Sequence, residues 1–222
     1  MVSKKVVVFF SVWLCVKRET MQLEPLNQKQ VRLLPVTMQH EYFSGDRSFA
    51  RYGVAGDGTC FFHSVCAARN TKNYLTASIN DQQKTGRKFR CAFTDHLTDQ
   101  RWARFLKQRK IESSVDAAEA RDHFCNNKHW ADETMIRYVS DVLKMNIVFI
   151  DADTGKIYCG VRGHKKEPLV IVMWINRSHF EPVARIRGVG DKEVGIQLVF
   201  DPDDDADVVD GIMRHYQAQC AE

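Results

Sequence analysis

Two residues of this chain, Cys60 and His179, have neighbours that suit acyl-transfer chemistry. Cys60 follows the glycine-rich loop Gly56-Asp57-Gly58-Thr59 and opens the apolar segment Cys60-Phe-Phe-His-Ser-Val-Cys-Ala-Ala68, a pattern that predicts a buried helix. At such a helix start, free backbone N–H groups and the helix dipole favour a thiolate over a thiol. The same N–H groups, those of Cys60 and the Gly58-Thr59 turn above all, can hold the oxyanion formed when a carbonyl is attacked. Gly56 and Gly58 allow another backbone to come close. On position alone, a buried structural cysteine at a helix start is the commoner arrangement.

A thiol nucleophile needs a base. His179 comes just after Pro168-Leu-Val-Ile-Val-Met-Trp-Ile175, a continuously apolar run of the kind buried on both faces of a sheet, so a rigid scaffold should hold the imidazole at the strand's end. The chain has 8 histidines in all. His63 lies one helical turn inside the segment opened by Cys60 and should point away from the helix terminus. His40, His96, His123, His129, His164 and His215 have no strand-end setting and read mostly as surface residues. Periodicity narrows the choice of base without closing it.

Other elements must carry these two side chains. Residues 20–50 are polar and weakly periodic, with Pro25 and Pro35, and read as a linker or irregular lead-in. From Asp81 to Lys110, basic and aromatic residues alternate on one or two amphipathic helices. Phe89, Phe93, Leu97, Trp102 and Phe105 should face inward, and Arg87, Lys88, Arg90, Arg101, Arg104, Lys107, Arg109 and Lys110 should form a solvated face. Trp130–Lys144 places Met135, Ile136, Val139, Val142 and Leu143 at helical spacing. Asn146–Asp151 and Lys156–Cys159 read as a hairpin about the turn Ala152-Asp-Thr-Gly155, and Phe180–Val183 and Ile196–Phe200 as further strands. The acidic stretch Asp201–Asp207 should stay unpacked, with a short helix possible at Val208–Tyr216.

Composition sets the outer bounds. A chain of 222 residues, 44% hydrophobic, supports one well-buried domain. We place an N-terminal extension at 1–45, a catalytic domain at 46–200 and an acidic tail at 201–222. The net charge of +4, from 32 basic and 28 acidic residues, falls short of a dedicated nucleic-acid binder. The 7 cysteines are odd in number and scattered, with no CxxC pair, which argues against a disulfide framework and a zinc site and favours a reducing, cytoplasmic setting. The start Met1-Val-Ser-Lys-Lys and the apolar run Val6–Val16 match the outline of a signal peptide. However, Lys17-Arg18-Glu19 follows where a small-residue cleavage site belongs, and the run is too short to span a bilayer.

Beyond these readings, Gly56-Asp-Gly-Thr-Cys-Phe-Phe-His-Ser64 resembles the nucleophile motif of the ovarian tumour (OTU) cysteine proteases. Trp130-Ala-Asp-Glu with Asn146-Ile-Val-Phe is similar to that family's middle block, and Ser178-His-Phe-Glu-Pro182 to its histidine block. The three blocks stand in order from about Tyr52 to Val183. Arg51-Tyr-Gly before the first block and His-Phe-Glu-Pro in the last are most similar to OTU proteins of large DNA viruses.

The resemblance implies an α/β fold with a small, mostly antiparallel sheet flanked by helices. It implies a deubiquitinase that needs no cofactor or metal and acts as a monomer on ubiquitin or a ubiquitin-like modifier. Cys60 becomes the nucleophile, His179 the base and Asp57 part of the nucleophile loop with Gly56, Gly58 and Thr59. Family members commonly carry an aspartate or asparagine two residues after the histidine. Here that position is Glu181, which departs from the pattern and leaves Asp57 or a backbone carbonyl as rivals for orienting His179. Trp130, Trp174 and Asn176 are candidate substrate contacts, although core packing is the commoner role for both tryptophans. Two other readings stay open: a catalytically weak ubiquitin-binding module, and a nucleic-acid binder centred on residues 84–110.

Overall fold

A computed structural model describes residues 31–46, 48–158, 166–187 and 195–220. The apolar run at residues 6–16 lies outside them. Strand β1 (Val31–Leu33) leads through helix α1 (Val36–Phe43) to β2 (Phe49–Tyr52), and the glycine-rich loop then feeds α2 (Cys60–Arg69). Helices α3 (Thr71–Leu75), α4 (Ile79–Ala92), α5 (Asp99–Arg109), α6 (Ala117–Cys125) and α7 (Glu133–Leu143) follow, with a 3₁₀ turn at Phe93–His96. The chain then forms β3 (Asn146–Asp151), β4 (Ile157–Tyr158), β5 (Leu169–Ile175), β6 (His179–Arg187) and β7 (Gly195–Gln197), and closes on α8 (Ala206–Cys220).

The strands make one sheet in the order β1-β2-β6-β5-β3-β4, with β7 continuing along β6. Its pairs are antiparallel except β3 with β5. Side chains alternate across a strand, and the central strands divide their apolar residues accordingly. Ile147, Phe149, Val170 and Val172 face the core built with α2 and α4–α7. Val148, Ile150, Leu169, Ile171 and Met173 face a second core covered by α1 and α8. A helical layer on each face explains why β3 and β5 read as unbroken apolar runs. It also makes α2, buried from Cys60 through Ala68, an interior helix rather than an amphipathic one.

The predicted helices at 81–110 and 130–144 and the strands of the C-terminal half lie where periodicity places them. Both ends of the chain differ. Residues 31–50 are not a linker, because β1 and β2 extend the sheet and α1 buries Met38, Tyr42 and Phe43. The stretch after Asp201 is not a free tail: Val208, Val209, Ile212 and Met213 of α8 are buried in the second core. Asp205, 1% exposed, accepts hydrogen bonds from Gln197 Nε2 at 2.6 Å and from the Asp201 N–H at 3.1 Å, and Arg185 lies 3.5 Å away. A run of carboxylates reads as solvated until a partner folds onto it, and Arg185 comes from a strand distant in sequence.

The cysteine reading also changes. Cys91 and Cys125 form a disulfide across 34 residues of sequence with their Cα atoms 4.5 Å apart, and Cys220 is also disulfide-bonded. The link joins the last turn of α4 to the end of α6, a juxtaposition that spacing does not encode. It removes the ground on which a reducing compartment was expected. Cys60 and Cys66 are free thiols. Among the described residues, no helix is long and apolar enough to cross a membrane.

Candidate active site

The nucleophile loop is held through the Asp57 carboxylate, the carbonyls of Asp57 and Gly58 and the Thr59 N–H. Gly58 has φ +79°, and a Cβ there would lie 2.1 Å from the Asn127 carbonyl oxygen, so the position requires glycine on both counts. Asp57 Oδ1 accepts the Thr59 N–H at 3.1 Å and lies 3.0 Å from His63 Nε2, while Oδ2 accepts from Arg87 Nε at 3.2 Å. The Asp57 carbonyl accepts from Asn127 Nδ2 at 3.3 Å. Gly58 O accepts from Arg90 Nη1 at 3.0 Å. Asp57 is therefore committed to its own loop.

His179, the candidate base, is carried by the β5–β6 turn. Asn176 (φ 47°) and Arg177 (φ 53°) both take the left-handed conformation that a type I′ turn requires, and the Ser178 N–H closes it on Ile175 O at 3.0 Å. His179 then pairs with Ile175 at the start of β6. Two residues on, and so on the same face, Glu181 is 4% exposed, with Oε1 3.7 Å from His179 Nε2. That separation exceeds a hydrogen bond. Arg51 of the neighbouring strand lies 3.3 Å from the other carboxylate oxygen.

Ser64 joins the two halves. Its Oγ lies 2.9 Å from the Cys60 carbonyl and 3.2 Å from that of Phe180, so one buried hydroxyl bridges α2 and the residue after His179. The backbone N–H groups of Phe180, Phe61 and Cys60 itself favour the charged form of the Cys60 sulfur.

Burial dominates the electrostatics. It pushes the Cys60 thiol above its usual range, reinforced by the Asp57 charge and only partly offset by the three N–H groups. The helix start thus does not by itself yield the thiolate expected from sequence. Burial also pushes His179 below the ordinary imidazole value, against the pull of Glu181 and helped by Arg51 and Arg32. The resting pair is a thiol beside a neutral imidazole. Asp57 behaves oppositely: burial works against its ionisation, but His63, the Thr59 N–H and Arg87 outweigh it and hold the carboxyl below its usual range.

Gly56, Gly58, Cys60, Phe61, Trp130, Ala131, Ser178, His179 and Phe180 line one cleft of about 310 Å³. A Cβ on Gly56 would come within 3.8 Å of the His179 ring. Trp130 is 59% exposed at this cleft, so of its two expected roles it is not packed in the core. Trp174 stacks on Phe180 at 6.3 Å, behind the site, and Asn176 serves the turn; neither lines the cleft. Among the described residues, no group of His, Cys, Asp or Glu is placed to hold a metal ion.

Sequence reasoning missed the supporting side chains. Arg90 reads as part of a basic face but is 1% exposed. Its guanidinium donates to Gly58 O, to Phe124 O and His123 O at 2.6 Å each, and to His129 O, and it lies over the Phe62 ring at 5.0 Å. Burial pushes its pKa down to about 10. With Arg90 buried and Arg109 paired with Asp141, the basic face of residues 84–110 is smaller than its composition suggests. The one available signal was the spacing of Arg90 on α4, in line with Gly86 and Phe93 on the buried side.

The family model for OTU-like cysteine proteases matches residues 55–180, more than half of the chain. No curated protein sequence matches it. Among solved structures, the chain is similar to an OTU domain in complex with ubiquitin, at 14% identity and a TM-score of 0.52 over 86% of this chain and 94% of that one. It is also similar to the OTU domain of OTUD1, at 15% identity and TM-score 0.46 over 67% of this chain and 93% of that one. The viral OTU protease of Dera Ghazi Khan virus matches at 18% identity and TM-score 0.42, over 61% of this chain and 80% of that one.

Proposed function

This chain belongs to the OTU-like cysteine proteases, and on that premise we propose that it is a deubiquitinase that hydrolyses bonds after the C-terminal glycine of ubiquitin or a ubiquitin-like modifier. The observation that carries the reading is that Cys60 and His179, far apart in sequence, line one cleft together with Gly56 and Gly58. Glycines in that wall leave room for an extended glycine-ended tail, and Trp130 offers it an exposed aromatic face. The fold shared with an OTU domain bound to ubiquitin supports the choice of substrate.

The chemistry is acyl transfer from a neutral pair. As sulfur attacks the glycine carbonyl, the thiol proton passes to His179, and the imidazolium that forms gains the Glu181 carboxylate as its counter-charge. The N–H of Cys60 is the candidate donor to the oxyanion, since that of Thr59 already donates to Asp57. His179 then protonates the departing lysine amine, and water activated by the same ring hydrolyses the thioester. Glu181 is the orienting carboxylate in this scheme, and Asp57 keeps the nucleophile loop in shape.

A ubiquitin probe with a thiol-reactive C-terminus tests the reading, with and without reductant. Wild type should label once, at Cys60. Cys60→Ala should not label, and His179→Ala should slow turnover by about 10⁴- to 10⁶-fold, the scale of losing a triad member. A wild-type protein that never labels would sink the proposal.

A further inference from the structure

We propose that His63 and Tyr74 are positioning residues for acyl transfer: with Asp57 they form a directed chain from hydroxyl to imidazole to carboxylate that sets the Gly56–Thr59 loop. This rests on the thiol hydrolase reading above.

His63 is fully buried one turn into α2, with Nε2 3.0 Å from Asp57 Oδ1 and Nδ1 2.8 Å from the Tyr74 hydroxyl on α3. Its seat is shaped for a ring: a Cβ on Gly86 of α4 would lie 2.1 Å from two imidazole atoms. Glycine is otherwise disfavoured inside a helix. One turn earlier on α4, Gln82 Nε2 donates to the Tyr74 carbonyl at 3.0 Å and fixes α3 to α4.

Proton positions in this chain have one solution. Asp57 is ionised and only accepts, so His63 Nε2 must carry a hydrogen. Burial keeps His63 neutral, despite the pull of Asp57, so Nδ1 presents a lone pair. Tyr74, whose ionisation burial opposes, must therefore donate. The chain ends at Asp57 Oδ1, the same atom that accepts the Thr59 N–H. Arg90 holds the Gly58 carbonyl at the other side of that same peptide. With the Gly58–Thr59 peptide fixed at both ends, the backbone entering Cys60 has one orientation. A hydrocarbon would fill the seat of His63 with no polar atoms to satisfy; what the polar chain adds is direction and charge at Asp57.

The test uses the full chain with His63→Leu, His63→Gln and Tyr74→Phe. Four quantities are compared: kcat and KM on a ubiquitin C-terminal amide, the rate at which iodoacetamide alkylates Cys60, and the melting temperature. Alkylation displaces iodide from a saturated carbon and forms no oxyanion, so it reports on the sulfur alone. His63→Leu should lower kcat about tenfold or more, the scale of a lost hydrogen bond to a charged group, with KM and alkylation within about twofold of wild type. His63→Gln, whose amide nitrogen can take the place of Nε2, should retain more activity than His63→Leu. Tyr74→Phe removes one oxygen and should fall between Gln and wild type; it decides the matter if His63→Leu does not fold. Unchanged kcat in all three, or kcat and alkylation falling together, overturns the positioning role. An inert wild type overturns the hydrolase reading and this role with it, whereas an active wild type with unaffected variants overturns this role alone.

Discussion

The two sides of the cleft are held in different ways. On the nucleophile side, the loop from Gly56 to Thr59 is tied by side chains from α2, α4 and the segment after α6, all at hydrogen-bond distance. On the base side, His179 is placed by strand register and a tight turn, and its nearest carboxylate stands off at 3.7 Å. The nucleophile side is pre-formed in the free protein. The base side is set in direction but not yet engaged, as catalytic hydrogen bonds often are before substrate tightens them. Rigidity thus sits where the oxyanion would form, and the remaining adjustment belongs to the ring that must move a proton.

Removing Arg90 should break the contrast most severely. Arg90→Met leaves the carbonyls of Gly58, His123, Phe124 and His129 without their donor. At about 1–3 kcal/mol for each orphaned buried group, the loss of stability should reach about 3 kcal/mol or more. Arg90→Lys should not rescue it, because a single ammonium cannot span the fork. An unchanged melting temperature would show that the loop does not depend on this anchor.

A smaller effect separates the two carboxylates. Glu181→Gln should lower kcat about 10- to 100-fold, less than the roughly 10⁴-fold of a carboxylate hydrogen-bonded to its histidine because Glu181 stands off at 3.7 Å, while melting stays nearly constant. Asp57→Asn should lower the melting temperature as well, because it weakens bonds to Thr59, His63 and Arg87. If instead Glu181→Gln left kcat unchanged, the orienting role would pass from Glu181 and the description of the base side would fail.

The pH profile gives the finest distinction. His179 is pushed below 6.5 and Cys60 above 9.0. The ring must be unprotonated to accept the thiol proton, so activity should fall only as pH drops below about 6.5, and alkylation of Cys60 should rise above pH 9. Because the Glu181 charge raises the imidazole value, Glu181→Gln should move the acid limb to still lower pH. A limb near pH 4 for alkylation would instead indicate a resting thiolate–imidazolium pair, and the base side would then be engaged before substrate arrives.

How much of this was legible in the sequence follows from the range of each interaction. The helix opened by Cys60, the hairpin at 146–158 and the buried strand before His179 were readable, since each is written in a local period. The acidic stretch and the polar residues 31–50 were misread because their partners, Arg185 and the apolar residues of β3, β5, β6 and α8, are distant in sequence. Trp130 was left between two readings, substrate contact and core packing, because a large aromatic is usually buried and only the shape of the cleft leaves this one exposed.

The sequence by itself determined the two candidate reacting groups and the glycines beside them, because a nucleophile, a base and close backbone approach each depend on residue type and immediate neighbours. Only the tertiary structure decided their electrical state and their support. Burial, not the helix start, sets the Cys60 and His179 protonation, since desolvation depends on everything packed around a group. The surroundings of Asp57 and Glu181 were decided likewise, by which side chains from α2, α4 and β2 arrive within a few ångströms of each carboxylate, a matter of packing that no local pattern records.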